Sequence, residues 1–290
     1  MNKVHVIPNM IKDGALSAAK KVCGYFCANG YEVCIDKELK DELAHALPQS
    51  VEYLDEDSCY EKCDFIAAIG GDGTLLHAAP KAAECKKPII GINNGKLGFM
   101  TELSAADELH VLSAIKDGTY FIEERMLLDV SVIDADGAQT VSETLLNDVV
   151  VTKGAISRIV DISVYVDGQT TMSFRGDGII VSTPTGSTGY SLSAGGPIIE
   201  PKAKCIAVTP ICPHALSIKS FVLDSGREIV IETGEKSESG YISIDGNDHI
   251  ELAKGGKVVI KKSEKTLAMI RITKQGFYDR INGKLVKEVL

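Results

Sequence analysis

The sequence of 290 residues has little that would place it in a membrane or on nucleic acid. No apolar run reaches the ~18 residues that a membrane-spanning helix needs. The N-terminus passes into a strand-like stretch without the apolar core of a signal peptide. The formal net charge of −9 argues against general binding to nucleic acid or to an anionic membrane surface. We therefore expect a cytoplasmic protein with no nucleic-acid or membrane partner.

Patterns typical of metal sites and of two large nucleotide-binding classes are also missing. The eight cysteines include no CxxC pair, and the six histidines form neither an HxxxH nor an HExxH pattern. We therefore predict no set of metal-ligating side chains, and we expect the thiols to be reduced. No GxGxxG follows a predicted strand, which argues against a Rossmann dehydrogenase, and no GxxxxGK[ST] occurs, which argues against a P-loop enzyme.

The order of the hydrophobic patterns indicates two domains. Through residues 1–122, short apolar strands alternate with amphipathic helices, as in a doubly wound α/β domain. From 123 to 267, β-branched strands are frequent, and Asp136-Gly137 and Asp167-Gly168 are typical hairpin turns. We predict a β-rich, sandwich-like second domain there. Residues 268–290 could pack on either domain. A boundary of this kind is a common place for a ligand cleft.

The segment Gly70-Gly71-Asp72-Gly73 follows a predicted strand at Phe65–Ile69. A predicted helix begins after it, at Thr74, with Pro80 near the helix start. Such a turn lies at the carboxyl end of a parallel strand, where ligands bind in open α/β sheets. The glycines permit positive φ and a close approach to the backbone, and a helix N-terminus favours phosphate. A tight turn with Asp72 as a helix cap is an equal alternative.

Two polar segments interrupt the predicted β-rich domain. Asn147 and Asp148 break an otherwise apolar strand, and a buried polar pair needs partners. The alternative is a bulge, or a strand end capped by Asn147. Thr183–Gly189 consists almost wholly of Thr, Ser, Gly and Pro, a composition that presents N–H and hydroxyl donors to a nucleotide or phosphate. The alternative is a flexible loop. We favour a nucleotide site, because an ordered strand precedes the segment and Gly195–Pro197 follows it.

These segments, taken in order, resemble the motifs of the NAD kinase family (ATP-NAD kinases). The matching stretches are GGDGTLL, GINNGKLGFMTEL, LLNDVVV, RGDGIIVSTPTGSTGYSLSAGGPI, ICPHALS and SIDG. GGDG alone also occurs in 6-phosphofructokinases and in diacylglycerol-type lipid kinases, whereas the long TPTGST segment is specific. The resemblance covers nearly the whole chain. It implies an α/β domain followed by a β-rich domain, with the tail 268–290 packing back on the first.

The resemblance also implies a reaction and its participants. The family transfers the γ-phosphate of ATP to the 2′-hydroxyl of the adenosine ribose of NAD, which gives NADP. It uses a divalent metal cation, Mg²⁺, and forms homodimers or homotetramers. The match makes Asp72 the general base and places Gly70, Gly71, Gly73 and Thr74 at the ATP phosphates. It assigns NAD binding to residues of the second domain: Asn147, Asp148, Arg175, Asp177, Thr188, Gly189, Tyr190, Ser193 and Asp245.

The sequence departs from the family pattern in three places. Asp148 stands where Glu is commoner, Gly189 replaces the usual Ala, and Lys219-Ser220 replaces the usual Arg-Pro. Two other functions remain open from the sequence. One is a non-catalytic NAD(P)-binding sensor on the same fold, and the other is a GGDG-type kinase of another acceptor.

Overall fold

The structure is a computed structural model. It describes residues 1–11, 14–93, 98–101, 108–154, 159–215, 217–234, 240–272 and 277–283. The chain forms two compact units, one of Met1–Glu124 with Leu267–Leu290 and one of Arg125–Thr266. The two domains drawn from the sequence, at 1–122 and 123–267, stay a prediction.

The first unit is a parallel sheet covered by helices. Its strands are β1 (Lys3–Pro8), β2 (Glu32–Asp36), β3 (Glu52–Leu54), β4 (Phe65–Gly70) and β5 (Ile89–Asn93). Its first five helices are α1 (Ala15–Ala28), α2 (Lys40–Leu43), α3 (Glu56–Lys62), α4 (Asp72–Glu84) and α5 (Glu108–Lys116). The strand order is β5-β4-β1-β2-β3, and all pairs are parallel. The order reverses between β1 and β4, and open α/β sheets bind ligands at the carboxyl ends of such a strand pair.

Helices cover both faces of this sheet. Successive strand residues point to opposite faces, and in β1 the two sets meet different helices. Val4 and Val6 are buried in a cluster with Phe26 of α1. His5, between them, meets the ring of Tyr60 in α3 at a centroid distance of 4.9 Å. The doubly wound α/β class that the sequence predicts is therefore confirmed.

Helix α4 differs from the prediction at the point that matters for the site. It begins at Asp72 rather than at Thr74, and Pro80 lies in its second half rather than near its start. An acidic residue in the first turn is favoured by the positive end of the helix dipole. Asp72 is therefore a helical residue held at the carboxyl end of β4.

The second unit is a sandwich of two antiparallel sheets. One sheet has the order β13-β12-β11-β8-β15-β16. Its strands are β8 (Asp148–Lys153), β11 (Gly178–Ser182), β12 (Cys205–Ile211), β13 (Phe221–Asp224), β15 (Gly240–Ile244) and β16 (Asn247–Leu252). The other strands are β6 (Phe121–Ile133), β7 (Gln139–Leu145), β9 (Val160–Val166), β10 (Gln169–Gly176), β14 (Ile229–Thr233) and β17 (Lys257–Arg271). The first four residues of β6 and the last five of β17, Phe121–Glu124 and Leu267–Arg271, belong to the first unit.

The core of the second unit lies between its two sheets. Val149 and Val181 from the first sheet share one buried cluster with Ile162 and Ile231 from the second. The sandwich-like class is therefore confirmed. Both predicted hairpins are present, β6–β7 and β9–β10. In the second of these, Asp167 and Gly168 have φ of 49° and 77°, the left-handed pair that a type I′ turn requires.

Two short helices complete the described chain. They are α6 (Tyr190–Ser193), which follows the Thr183–Gly189 segment, and α7 (Phe277–Ile281) in the tail. Among the described residues, no helix is long and apolar enough to cross a membrane. All eight cysteines are free thiols.

Candidate active site

The Asp72 carboxylate is held by a loop that follows β5. Oδ2 accepts a hydrogen bond from the backbone N–H of Phe99 at 2.7 Å, and Oδ1 accepts from Met100 and Thr101, each at 3.1 Å. A Cβ atom at Gly98 would lie 1.8 Å from Oδ1, so only glycine fits there. A carboxylate has about four acceptor positions. The loop fixes this one with three, and no donor from the described residues occupies the fourth, which a ligand can use.

The glycines around Asp72 act through their lack of a side chain. Gly70, Gly71 and Gly73 are not among the residues with positive φ, so that expectation was wrong. A Cβ at Gly70 would lie 2.1 Å from Oγ1 of Thr74. That hydroxyl accepts a hydrogen bond from Nδ2 of Asn9, which follows β1, at 3.1 Å. Gly73 is exposed, and no atom of the described residues lies within 4 Å of a Cβ placed there, so this part of the chain leaves the first turn of α4 open to a ligand.

In the second unit, Asp245 holds the segment that contains Asn147 and Asp148. Asp245 opens the β15–β16 turn with a φ of 50°. Its Oδ2 accepts from the N–H of Leu146 at 2.8 Å, and its Oδ1 accepts from Asn147 at 2.7 Å and Asp148 at 3.0 Å. Burial raises the pKa of Asp245 to about 6, although the three N–H donors act in the opposite direction. Asp245 is committed to the backbone, so it positions its neighbours.

Asn147 and Asp148 place a buried amide oxygen next to a buried carboxyl group. Oδ1 of Asn147 is buried with no hydrogen-bond partner in the described chain. Asp148 is 5 % exposed, and its backbone N–H donates to Asp245. Burial raises the pKa of Asp148 to about 7, and the charge of Asp245 adds to that shift. Buried acceptors of this kind are rarely left unpaired. The pair therefore has the character of a binding site for hydroxyl or amino groups.

The Thr183–Gly189 segment is fixed against this pair rather than flexible. The hydroxyl of Thr183 donates to the carbonyl of Leu146 at 2.5 Å. The hydroxyl of Ser187 donates to Pro184 at 2.7 Å and accepts from the N–H of Ile199 at 3.0 Å. A Cβ at Gly186 would lie 2.2 Å from the carbonyl oxygen of Asn147. The flexible-loop alternative is therefore wrong.

The end of that segment lies beside the acceptor pair. A Cβ at Gly189 would lie 3.7 Å from both Nδ2 of Asn147 and Oδ2 of Asp148. Thr188 donates its hydroxyl to the carbonyl of Thr185 at 3.3 Å, within its own turn. Tyr190 and Ser193, to which the resemblance also assigns NAD binding, are exposed on α6.

Arg175 and Asp177 are the expected NAD-binding residues that the structure does not bring to this pair. Arg175 pairs with Asp161 at 2.9 Å, and Asp177 pairs with Lys153 at 2.7 Å. Asp177 immediately precedes β11, whereas the residue opposite Asp148 is Ser182, at the far end of that strand. A strand rises about 3.4 Å per residue, which puts Asp177 roughly 17 Å from the acceptor pair.

Several residues of the site were not found from the sequence. Ser182, the cross-strand neighbour of Asp148, has a buried hydroxyl without a partner in the described chain. Asn9 could have been found, because it is polar and follows the first predicted strand. Arg271 and Arg280 donate to the loop around Phe99. No local pattern marks those two arginines, since they meet the loop only in the folded unit.

Comparison with known families identifies the family of the chain. A family model described as the ATP-NAD kinase N-terminal domain matches residues 4–120, and one described as the ATP-NAD kinase C-terminal domain matches residues 146–272. The chain belongs to the NAD kinase family. It is an ATP-dependent kinase that phosphorylates NAD, and NAD and ATP are its substrates. The resemblance seen in the sequence motifs is confirmed.

Curated relatives match over nearly their whole length. The NAD kinase of Caldanaerobacter subterraneus is 37% identical over 287 residues, which is 99% of this chain and 100% of the relative. The NAD kinase of Acetivibrio thermocellus is 36% identical, with 98% and 97% covered. The readings as a sensor and as a kinase of another acceptor find no support in these relatives.

Two solved structures resemble the fold. The NAD kinase of Archaeoglobus fulgidus in complex with ATP has a TM-score of 0.70 and 26% identity, with 99% of each chain covered. Yeast NADH kinase complexed with NADH has a TM-score of 0.89, with 99% of this chain and 88% of that chain covered. Its identity is 21%, so this second likeness concerns the fold alone.

The raised pKa of Asp148 gives a first prediction, for Asp148→Asn. The folded enzyme keeps the Asp148 proton up to about pH 7, whereas the unfolded chain releases it near pH 4. Wild-type stability therefore falls as the pH rises between those values. The asparagine variant lacks this loss. Relative to wild type, its free energy of unfolding should gain on the order of 2 kcal/mol between pH 5 and pH 8 in urea titrations, while its NAD affinity drops.

The matched control is Asp136→Asn, at an exposed carboxylate in the β6–β7 turn. It should change neither the pH dependence of stability nor NAD binding. If Asp148→Asn and wild type run parallel from pH 5 to pH 8, Asp148 does not hold a proton in the folded enzyme.

Proposed function

We propose that Asp72 is the general base for transfer of the ATP γ-phosphate to the 2′-hydroxyl of the adenosine ribose of NAD. A ribose hydroxyl is a weak nucleophile, and a carboxylate within hydrogen-bond reach of its proton assists the attack. The observation that carries the proposal is the carboxylate held by three backbone N–H groups. Its remaining acceptor position is free to take the hydroxyl proton without a change in the carboxylate's orientation.

The ATP phosphates, in this proposal, bind at the first turn of α4. The N–H groups of Asp72 and Gly73 have no earlier turn to bond, and the helix dipole adds positive potential. Gly70 and Gly71 lead into the helix without side chains, and the open space over Gly73 admits phosphate oxygens. Thr74, tied to Asn9, fixes the turn.

A divalent cation, Mg²⁺, fits the donors that the chain offers. No group of three or more acidic, histidine or cysteine side chains in the described ranges forms a cage for a metal. Mg²⁺ is commonly held by substrate phosphates and water with few protein carboxylates. We propose that the ion enters with ATP, where it neutralises phosphate charge. Asp72 is the acid nearest to those phosphates in this scheme.

NAD, we propose, binds by its adenosine part to Asn147 and Asp148. Their buried acceptors need donors, and ribose hydroxyls and the adenine amino group supply them. Asp245 contributes by orienting both residues through their N–H groups. Thr188 and Gly189 line the same region, and the exposed Tyr190 and Ser193 of α6 are available to the rest of the dinucleotide.

The enzyme, we propose, is a homodimer or homotetramer that shares its NAD sites between copies. Asp177 stands at the opposite end of β11 from the Asn147–Asp148 pair, so Arg175 and Asp177 reach a bound dinucleotide more readily from a second copy. Symmetric homo-oligomers are the commonest assemblies of soluble proteins.

We also propose a cytoplasmic location. Eight free thiols without a disulfide are typical of a reducing compartment, and the co-substrate ATP is supplied there.

The second prediction concerns Asp72→Asn. Loss of a general base typically costs 10²- to 10⁴-fold in rate. We expect kcat for NADP formation from Mg-ATP and NAD to fall by about that factor, as measured with an NADP-specific dehydrogenase. NAD affinity by calorimetry should be retained, because the acceptor pair is untouched. A folded Asp72→Asn enzyme with wild-type kcat would falsify the role of Asp72.

The third prediction compares Gly73→Ala with Gly24→Ala. Both glycines are helical, and among the described residues no atom lies within 4 Å of a Cβ added at either one. Both alanines should therefore stabilise the enzyme, by roughly 0.5–1 kcal/mol. Only Gly73→Ala should raise KM for ATP, roughly tenfold for a loss of about 1.4 kcal/mol of phosphate contact. Equal KM values for ATP in the two variants would place the phosphates elsewhere.

The fourth prediction tests the shared site by complementation. Asp72→Asn and Asp177→Ala are each expected to be inactive. When they are co-expressed with different tags and purified through both tags, a mixed dimer contains one site with both residues intact if Asp177 acts from the second copy. We expect activity to return in that species. A mixed dimer as inactive as its parents would assign Asp177 to the site of its own chain or to no site.

A further inference from the structure

Two buried arginines donate hydrogen bonds to backbone carbonyls of the loop that holds Asp72. Arg280 of α7 donates from Nη1 to the carbonyl of Phe99 at 2.8 Å. Arg271 of β17 donates from Nη1 to the carbonyl of Met100 at 2.7 Å, and its Nε pairs with Glu123 at 3.2 Å. The two arginines are 7 % and 5 % exposed. Buried guanidinium groups are costly unless they are well paired, so these contacts are specific features of the fold.

The arginines and Asp72 use the two ends of the same peptide groups. The peptide between Phe99 and Met100 accepts from Arg280 through its C=O and donates to Asp72 through its N–H. The peptide between Met100 and Thr101 does the same for Arg271 and Asp72. Each peptide therefore links a positive charge to the carboxylate. Hydrogen bonds in such a chain polarise and strengthen one another.

We propose that Arg271 and Arg280 are positioning residues for catalysis that act on Asp72 through these two peptides. The inference rests on the proposed role of Asp72. The arginines hold the loop by its carbonyl groups, and the N–H groups of the loop hold the carboxylate of Asp72. The fixed fork of a guanidinium suits this task better than a flexible ammonium group. Helix α7 is thereby part of the catalytic apparatus, although it is remote in sequence from GGDG.

Arg280 is tested first, through its contact with the carbonyl of Phe99. In Arg280→Gln we expect kcat to fall roughly 10- to 100-fold, the range for loss of a hydrogen bond from a charged group. KM for NAD should stay within about twofold, because the second unit is unchanged. Arg280→Lys keeps the charge without the fork and should recover part of kcat. The control is Arg227→Gln. Arg227 pairs with Asp167 in the second unit and not with the loop that holds Asp72, so this substitution should leave kcat unchanged.

A double-mutant cycle separates positioning from general stability. If Arg280 acts through Asp72, Arg280→Gln should cost less than about twofold when it is added to Asp72→Asn. The residual rate is measured with an enzymatic cycling assay for NADP, at a temperature where each variant has native circular dichroism. An equal fold loss in both backgrounds would overturn the inference, as would an unchanged kcat in Arg280→Gln. Either result leaves the role of Asp72 intact, because that role fails only if Asp72→Asn alone keeps its activity.

Discussion

Both parts of the site depend on one interaction, a carboxylate that accepts three consecutive backbone N–H groups. Asp72 does this for residues 99–101, and Asp245 does it for residues 146–148. Consecutive N–H groups that converge on one point are unsatisfied by helix or sheet, and burying them without an acceptor is costly. A single acidic side chain satisfies all three and fixes the turn. The backbone of each turn is therefore held by a side chain that is distant in the sequence.

Because these carboxylates hold the backbone in place, other polar groups of the enzyme can remain without a hydrogen-bond partner. The Asn147 amide oxygen and the Ser182 hydroxyl are buried without partners in the described chain. They lower the stability of the ligand-free protein, and only a bound partner compensates for them. The backbone around them remains in place because Asp245 and the hydroxyl of Thr183 hold it. The unpaired polar atoms thus lower the stability of the protein, whereas the hydrogen bonds of Asp245 and Thr183 raise it.

The sequence predicts the elements better than it predicts the contacts. The strand before GGDG and the hairpin at Asp167-Gly168 follow from local patterns, because periodicity and left-handed turns are properties of neighbouring residues. The need for glycine at position 98 does not, because the atom that excludes a side chain belongs to Asp72, distant in the chain. The separation of Asp177 from Asp148 follows from strand register, which a motif does not reveal. Local composition suggested positive φ in GGDG, but the glycines there serve close packing.

The two units also divide the chemistry in a way that explains why GGDG alone is an ambiguous motif. In the proposed scheme, the first unit provides the carboxylate that activates a hydroxyl and the helix N-terminus that receives phosphate. Nothing in that arrangement distinguishes a dinucleotide from a lipid or a sugar. The second unit provides the buried oxygens of Asn147 and Asp148. A substrate without hydrogen-bond donors at the matching positions would leave these oxygens unpaired. In the proposed scheme, the choice of phosphate acceptor therefore rests with the sandwich, and the Thr183–Gly189 segment packed against that pair is the part of the sequence that carries it.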